Sequence, residues 1–225
     1  MYNILLLHTH IKRLVIQEAS RGKTIGRTLM NYMVSQVPLK GKILDLGSKS
    51  GLASYNRFLQ KVDDVDITYT DFYSSSESVV KLDLEQPFPL ASDVYDYVFC
   101  FNAMEHVYNY RSLLSEAYRV LKTGGILLGS TPFLVRYHAD PSDFFRYTHE
   151  TLERVCVEAG YKNIVVTSLG AGPMTAALMQ VQFVFPRWSY GLLIRLALML
   201  DDWILKKRPQ LLGRYPESYF FTAVK

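Results

Sequence analysis

The sequence predicts a doubly wound α/β fold, a mostly parallel sheet with helices on both faces. Two observations carry this. From Lys42 onward, short apolar runs of strand length alternate with stretches of helical periodicity. Runs such as Tyr97-Val-Phe-Cys-Phe101 are apolar at every position, as strands covered on both faces are, rather than alternating polar and apolar. A chain of 225 residues that is 49% hydrophobic suits one domain with one core.

The elements follow in order. Residues 1–40 read as a helical lead-in of one or two short helices, closed by Pro38 and Gly41. Strands are expected at 43–46, 67–70, 79–82, 97–101, 126–130, 164–167 and 219–224, within a core spanning 41–170 and a last strand in 218–225. Helices are expected at 52–61 and at 111–122. The second presents Leu113, Leu114, Ala117, Val120 and Leu121 on one face and is stopped by Thr123-Gly124-Gly125. Thr148 reads as the cap of a further helix, with Glu150 in its first turn and Gly160 at its end.

Composition narrows the function. A net charge of +4 with scattered basic residues does not call for a nucleic-acid partner. Cys100 and Cys156 have no metal-ligand spacing, and two cysteines make no disulfide framework, which fits a reducing compartment. The apolar stretch near Met1 is too short for a secretory signal, and no window offers the ~20 apolar residues of a simple membrane span. A cytoplasmic location is expected.

In open parallel sheets, ligands bind beyond the carboxyl ends of the strands. Here those ends carry chemistry. The first strand runs into Asp45-Leu-Gly-Ser-Lys-Ser-Gly51, a turn whose glycines let backbone N–H groups approach a ligand. By itself it could equally be a plain tight turn. The next ends in Asp71, able to accept from two ribose hydroxyls, with Phe72 beside it to lie on an adenine. The third ends in Asp83-Leu84 and the fourth in Asn102, followed by Glu105 and His106. A row of acceptors along one sheet edge matches a ligand with a ribose, an adenine amino group and an ammonium.

Ile43-Leu-Asp-Leu-Gly-Ser-Lys-Ser-Gly51, Phe88-Pro-Leu90, Tyr95-Asp-Tyr-Val98, Met104-Glu-His-Val107 and Glu116-Ala-Tyr-Arg-Val-Leu-Lys-Thr-Gly-Gly125 resemble, in order and spacing, the motifs of type-11 class I methyltransferases. The resemblance covers about residues 40–170. It implies a Rossmann-like seven-stranded sheet with an antiparallel last strand, and S-adenosyl-L-methionine as methyl donor. It implies that Asp45, Gly47, Ser48 and Gly51 hold the methionine moiety and that Asp71 and Phe72 meet the ribose and adenine. It places Asp83 and Leu84 on the adenine ring and the Asn102 backbone at the ammonium. Lys49 departs from the family's usual glycine.

After the fifth strand comes Pro132-Phe-Leu-Val-Arg-Tyr-His-Ala-Asp-Pro-Ser-Asp-Phe-Phe-Arg-Tyr-Thr148. It is similar to a segment of a methyltransferase subgroup associated with polysaccharide and glycolipid gene neighbourhoods. His138 could take a proton from a substrate hydroxyl, since an imidazole pKa near ~6.5 suits that task. Asp143 could orient it, and His106 also faces the expected site. Arg146 and Tyr147 are candidates for the acceptor. Equally, Asp143 and Arg146 could pair with each other and only fix the loop, and His106 could be a structural histidine. No Asp/Glu/His cluster argues for a metal.

Residues 171–217 form an apolar helical insertion, longer than ordinary connections. Along it, Arg187, Gly191, Arg195, Asp202 and Lys206 make one narrow polar stripe at helical spacing, and Lys206-Lys207-Arg208 follows. Three readings are open for 174–208: burial against the domain or a homodimer partner, contact with the inner face of a membrane, or a lid. The expected activity is O-methylation of a glycan, glycolipid or lipid-linked acceptor. The alternatives are a small-molecule or quinone-like acceptor and a non-catalytic binding module. A dinucleotide oxidoreductase is disfavoured, because the turn lacks Gly-x-Gly-x-x-Gly.

Overall fold

The computed structural model describes residues 3–48, 52–73, 76 and 78–225. In chain order the main elements are β1 (Asn3–Ile4), α1 (Thr9–Ser20), α2 (Ile25–Val34), β2 (Pro38–Asp45), β3 (Gln60–Asp71), β4 (Val80–Lys81), β5 (Tyr95–Phe101) and α3 (Tyr110–Val120). Then follow β6 (Leu121–Pro132), α4 (His149–Glu158), β7 (Lys162–Leu169), α5 (Pro173–Val181), α6 (Tyr190–Lys207) and β8 (Ser218–Val224). They form one sheet in the order β1-β7-β8-β6-β5-β2-β3-β4. The two-residue β1 is an added edge strand; the other seven are those expected, and β8 alone runs antiparallel to its neighbours β6 and β7.

The continuous apolar strands are covered on both sides. Leu44, Val98, Cys100, Leu127 and Phe221 face α3 and α4, while Ile43, Phe99, Phe101, Leu128 and Phe220 face α1, α2 and α6. This period-two division is why no residue of these runs can be polar without opening one core or the other. Gly129 is required by the same packing: a Cβ there would fall 2.0 Å from the ring of Phe221, its partner across β6–β8.

Two expected helices change. Over 52–61 there is only a 3-10 turn, Ser54–Phe58, and β3 already begins at Gln60. Tyr55 is drawn inward against Phe99 and Phe101, and the β-branched Val62, Val65 and Ile67 favour the extended strand that follows. The helix of 111–122 ends at Val120. Lys122 instead lies in β6 and bonds both oxygens of Asp96, so Thr123-Gly124-Gly125 belongs to the strand.

The insertion contains α5 and α6. Ile194, Ala197 and Leu198 bury one side of α6. The buried Asp201 carboxylate accepts from the Met174 and Thr175 backbone N–H groups and the Thr175 hydroxyl, tying α6 to the start of α5. Gly191 lets α6 approach α1, where a Cβ would lie 2.5 Å from Ser20 Oγ. The other side of α6 is not covered: Leu192, Leu196, Met199, Leu200 and Trp203 form an exposed apolar stripe at helical spacing. Among the described residues no helix is long and apolar enough to cross a membrane.

Candidate active site

Two cavities meet at Asn102, at the carboxyl ends of the strands. The first, about 350 Å³, is lined by Gly47 after β2, Asp71, Phe72 and Tyr73 after β3, Asp83 and Leu84 after β4, and Asn102, Ala103 and His106 after β5. It is the row of strand ends read from the sequence. Gly47 turns the chain at φ +70 and donates its N–H to Thr70 Oγ1. Asp71 accepts from the Tyr73 N–H through Oδ1, and Asp83 from the Glu85 N–H. Asn102 holds a left-handed backbone, φ +51, secured by its N–H to the Ser130 carbonyl at 2.7 Å and by the Ser130 hydroxyl on its side chain.

Asp45 and Ser48 stand apart from this lining. The Asp45 carboxylate is buried and receives the Tyr55 hydroxyl on both oxygens, at 2.8 and 2.7 Å. Burial raises its pKa to about 7 against the lowering effect of those bonds. Ser48 is buried too and donates to the Asp45 backbone. Both are buried behind the turn and line neither cavity. Lys49 and Gly51 lie outside the described residues.

The second cavity, about 370 Å³, lies on the other side of Asn102. It is lined by the start of α2 (Thr24, Gly26, Arg27), the end of β6 and the loop after it (Ser130, Arg136, His138), the α5–α6 region (Gln180, Gln182, Arg187, Tyr190), and Glu217 and Ser218. Glu217 is buried, accepts the Gly26 N–H at 3.1 Å, and is pushed up to about 8 by burial.

The loop between β6 and α4 sorts its sequence candidates. Asp143 is bonded by both terminal nitrogens of Arg146, at 2.5 and 2.7 Å, and accepts the His138 backbone N–H. The Arg146 guanidinium holds the Asp143 carboxyl well below the usual range. Tyr147 is buried in the core, its hydroxyl donating to the Met104 carbonyl. Asp143, Arg146 and Tyr147 line neither cavity: Arg146 and Tyr147 fix the loop that carries His138, and Asp143 Oδ2 lies 3.5 Å from His138 Nδ1, in the orienting position expected of it. His106 and His138 do reach the site, their rings 5.2 Å apart.

Between them lies a residue to which the sequence assigned no role. Glu105 is fully buried on the 3-10 turn Met104–His106, with Oε1 3.6 Å from His106 Nε2 and 3.8 Å from His138 Nε2. As the carboxylate acceptor facing His138 Nε2, Glu105 is the largest cause raising the His138 pKa above its ordinary value. The fold thus makes a Glu/His/His cluster where sequence spacing shows none. The signal was a lone acid inside the apolar run Phe101-Asn-Ala-Met-Glu-His-Val107, with its second histidine in a distant loop. Arg27, Arg136, Arg187, Gln180 and Glu217 have no such local signal.

A methyltransferase-domain family matches residues 44–129. No curated protein matches the sequence significantly. Among solved structures, a SAM-dependent methyltransferase from Archaeoglobus fulgidus is 18% identical over 95% of this chain and 99% of its own, with TM-score 0.56. Phosphoethanolamine N-methyltransferase 2 of Haemonchus contortus, in complex with S-adenosyl-L-methionine, is 17% identical with TM-score 0.55. The match covers 88% of this chain but 52% of that one, about half the length of the nematode enzyme. The [4+2]-cyclase SpnF is similar at 14% identity and TM-score 0.57, over 99% of this chain and 98% of its own. At such identities the likeness shows the fold, and the cyclase shows that this fold is not tied to one reaction. The family match falls on the stretch from β2 to β6, and the ends of β2 to β5 line the first cavity, so this part of the chain is similar to an S-adenosylmethionine-dependent methyltransferase domain.

Proposed function

We propose that the chain transfers the methyl group of S-adenosylmethionine to a hydroxyl oxygen of an anionic, glycan-type acceptor. The observation that carries this is the pair of cavities joined at Asn102, with His106 on the first and His138 on the second. The first cavity fits the cofactor in size and in its donor set. Asp71 would take the ribose hydroxyls, Asp83 and Leu84 the adenine, and the Gly47 turn with Asn102 the methionine end. The bound cofactor supplies an electrophilic methyl on a sulfonium.

The second cavity presents three guanidinium groups, from Arg27, Arg136 and Arg187, with the amides of Gln180 and Gln182 and the phenol of Tyr190. Such a lining suits phosphate or carboxylate together with sugar hydroxyls. A quinone-like ring would want an apolar slot, so the lining favours the glycan reading. The acceptor oxygen attacks the methyl carbon, the carbon–sulfur pair stays on sulfur, and the hydroxyl proton is given up at the Glu105–His106–His138 cluster.

The exposed stripe of α6 adds a location. Phe183 and Arg187 belong both to the lip of the second cavity and to the surface that continues through Trp188, 84% exposed, to Leu192, Leu196 and Trp203. Arg195, Lys206, Lys207 and Arg208 flank it, and Lys207 Nζ lies 4.0 Å from the Trp203 ring. This pattern supports a seat on an anionic membrane surface, with the cavity mouth turned toward lipid-linked acceptors.

Methyl-labelled S-adenosylmethionine with fractionated lipid and glycan extracts tests the activity. Label is expected in an anionic glycan or glycolipid fraction as a base-stable ether. Label confined to quinones overturns the acceptor, and failure to bind S-adenosylhomocysteine by calorimetry overturns the enzyme. For the membrane, Leu192→Glu with Leu196→Glu is expected to abolish flotation with phosphatidylglycerol vesicles. Equal flotation of the wild type and the variant counts against it.

A further inference from the structure

The Glu105 carboxylate is fully buried, and neither of its oxygens has a hydrogen-bond partner. A carboxylate so placed is unfavourable unless its charge is met. Arg27 and Arg146 act on it only through space. The groups that face it are the two imidazoles, at 3.6 and 3.8 Å, beyond hydrogen-bond length.

The tautomers of those imidazoles follow from their outer contacts. His106 Nδ1 is 2.5 Å from the Ser142 carbonyl oxygen. His138 Nδ1 is 3.1 Å from the Arg136 carbonyl oxygen and 3.5 Å from Asp143 Oδ2. Carbonyl and carboxylate oxygens only accept, so each Nδ1 carries the hydrogen. In the neutral ring the lone pair is then on Nε2, directed into the space shared with Glu105. Three lone-pair groups converge with no hydrogen among them, their ligand atoms all within 4.8 Å of one another. Outer oxygens anchoring Nδ1 are the usual support of metal-binding histidines. A proton on one ring would satisfy one imidazole–carboxylate pair and leave the other facing it; a cation at ~2.0–2.2 Å from each group satisfies all three.

We propose that Glu105, His106 and His138 bind a first-row divalent cation, of the Mn²⁺, Fe²⁺, Co²⁺ or Zn²⁺ class, where the two cavities meet. Two imidazoles and one carboxylate leave coordination positions open. The role of the site rests on the methyl-transfer reading. The acceptor hydroxyl would take an open position and become more acidic there, the cation replacing a free imidazole at the cluster in promoting loss of the proton, which leaves to solvent through the mouth of the second cavity. The oxygen then forms its bond to the methyl carbon as the carbon–sulfur bond breaks, the pair remaining on sulfur.

The test uses the full chain, stripped with chelator and titrated with Co²⁺. About one equivalent is expected, with a visible absorption band from the bound ion. Glu105→Gln, isosteric but uncharged, and His138→Asn, at the cavity rim, are each expected to weaken Co²⁺ binding at least ~10-fold. S-adenosylhomocysteine binding by calorimetry on the same samples is expected to persist in both variants, which shows that they are folded. Wild-type protein that takes up neither Mn²⁺, Co²⁺ nor Zn²⁺ overturns the site, as do variants that bind Co²⁺ like the wild type. If a wild type that takes up no cation in the titration still binds S-adenosylhomocysteine, the metal site alone falls. Cation uptake without S-adenosylhomocysteine binding supports the site and overturns the methyl-transfer reading.

Discussion

The two cavities are similar in volume, about 350 and 370 Å³, and are built in opposite ways. The first takes its lining from four successive strand ends and the loop after β6, so its chemistry follows the order of the chain. The second gathers residues from α2, β6, the loop after it, the α5–α6 region and the approach to β8. A site made by strand ends is imposed by the sheet and persists wherever the sheet does. A site made by helix termini and an insertion can change without disturbing the sheet, which is how one fold serves different acceptors.

The sharpest way to break this comparison is Asp71→Ala. If the first cavity alone holds the cofactor, S-adenosylhomocysteine binding should weaken ~100-fold, the scale of losing two charge-assisted hydrogen bonds. Calorimetry reads the loss, with an unchanged thermal midpoint as the control. A loss below threefold would mean that the strand-end row is not the cofactor seat. A smaller, complementary effect is expected from Arg27→Ala and Arg187→Ala. Each should raise KM for an anionic acceptor ~10-fold, the order of one charged contact, and leave cofactor affinity alone. If both constants move together, the cavities do not divide the labour as proposed.

The same contrast explains what the sequence disclosed. The sheet, its antiparallel last strand and the gathering of Gly47, Asp71, Phe72, Asp83, Leu84 and Asn102 round one cavity were legible, because the residues occupy successive strand ends and a parallel sheet puts those ends side by side. The bond from the Tyr55 hydroxyl to Asp45 was not legible, since Tyr55 comes from a segment read as a helix and folded as a 3-10 turn. Asp143 and Arg146 were legible as a pair but not in direction, because three-residue spacing permits a salt bridge as readily as a substrate clamp. Glu105 required both His106, its neighbour, and His138, whose loop is set beside it by the backbone N–H groups of Phe144 and Phe145 donating to the Glu105 carbonyl. Contacts closed by loops across the sheet edge leave no periodic trace in the sequence.

A third expected effect, on stability rather than on binding, concerns Glu217, buried between α2 and β8 on the wall of the second cavity. Its folded pKa, about 8, lies above the ordinary carboxyl value because burial disfavours the charged form. Between the unfolded and folded values, roughly pH 4.5 to 8, the native state holds a proton that the unfolded state has released. Stability from this group therefore falls as pH rises through that window, by at most ~1.4 kcal/mol per pH unit. Below the window both states are protonated and the group contributes no slope. Glu217→Gln keeps the acceptor for the Gly26 N–H and removes the titration, so the variant should match the wild type near pH 4.5 and exceed it at pH 8. Urea unfolding at pH 4.5, 6.5 and 8 measures the difference. Parallel pH profiles for the two proteins would show that Glu217 is charged in the native state, and that its wall of the second cavity is wetter than its burial implies.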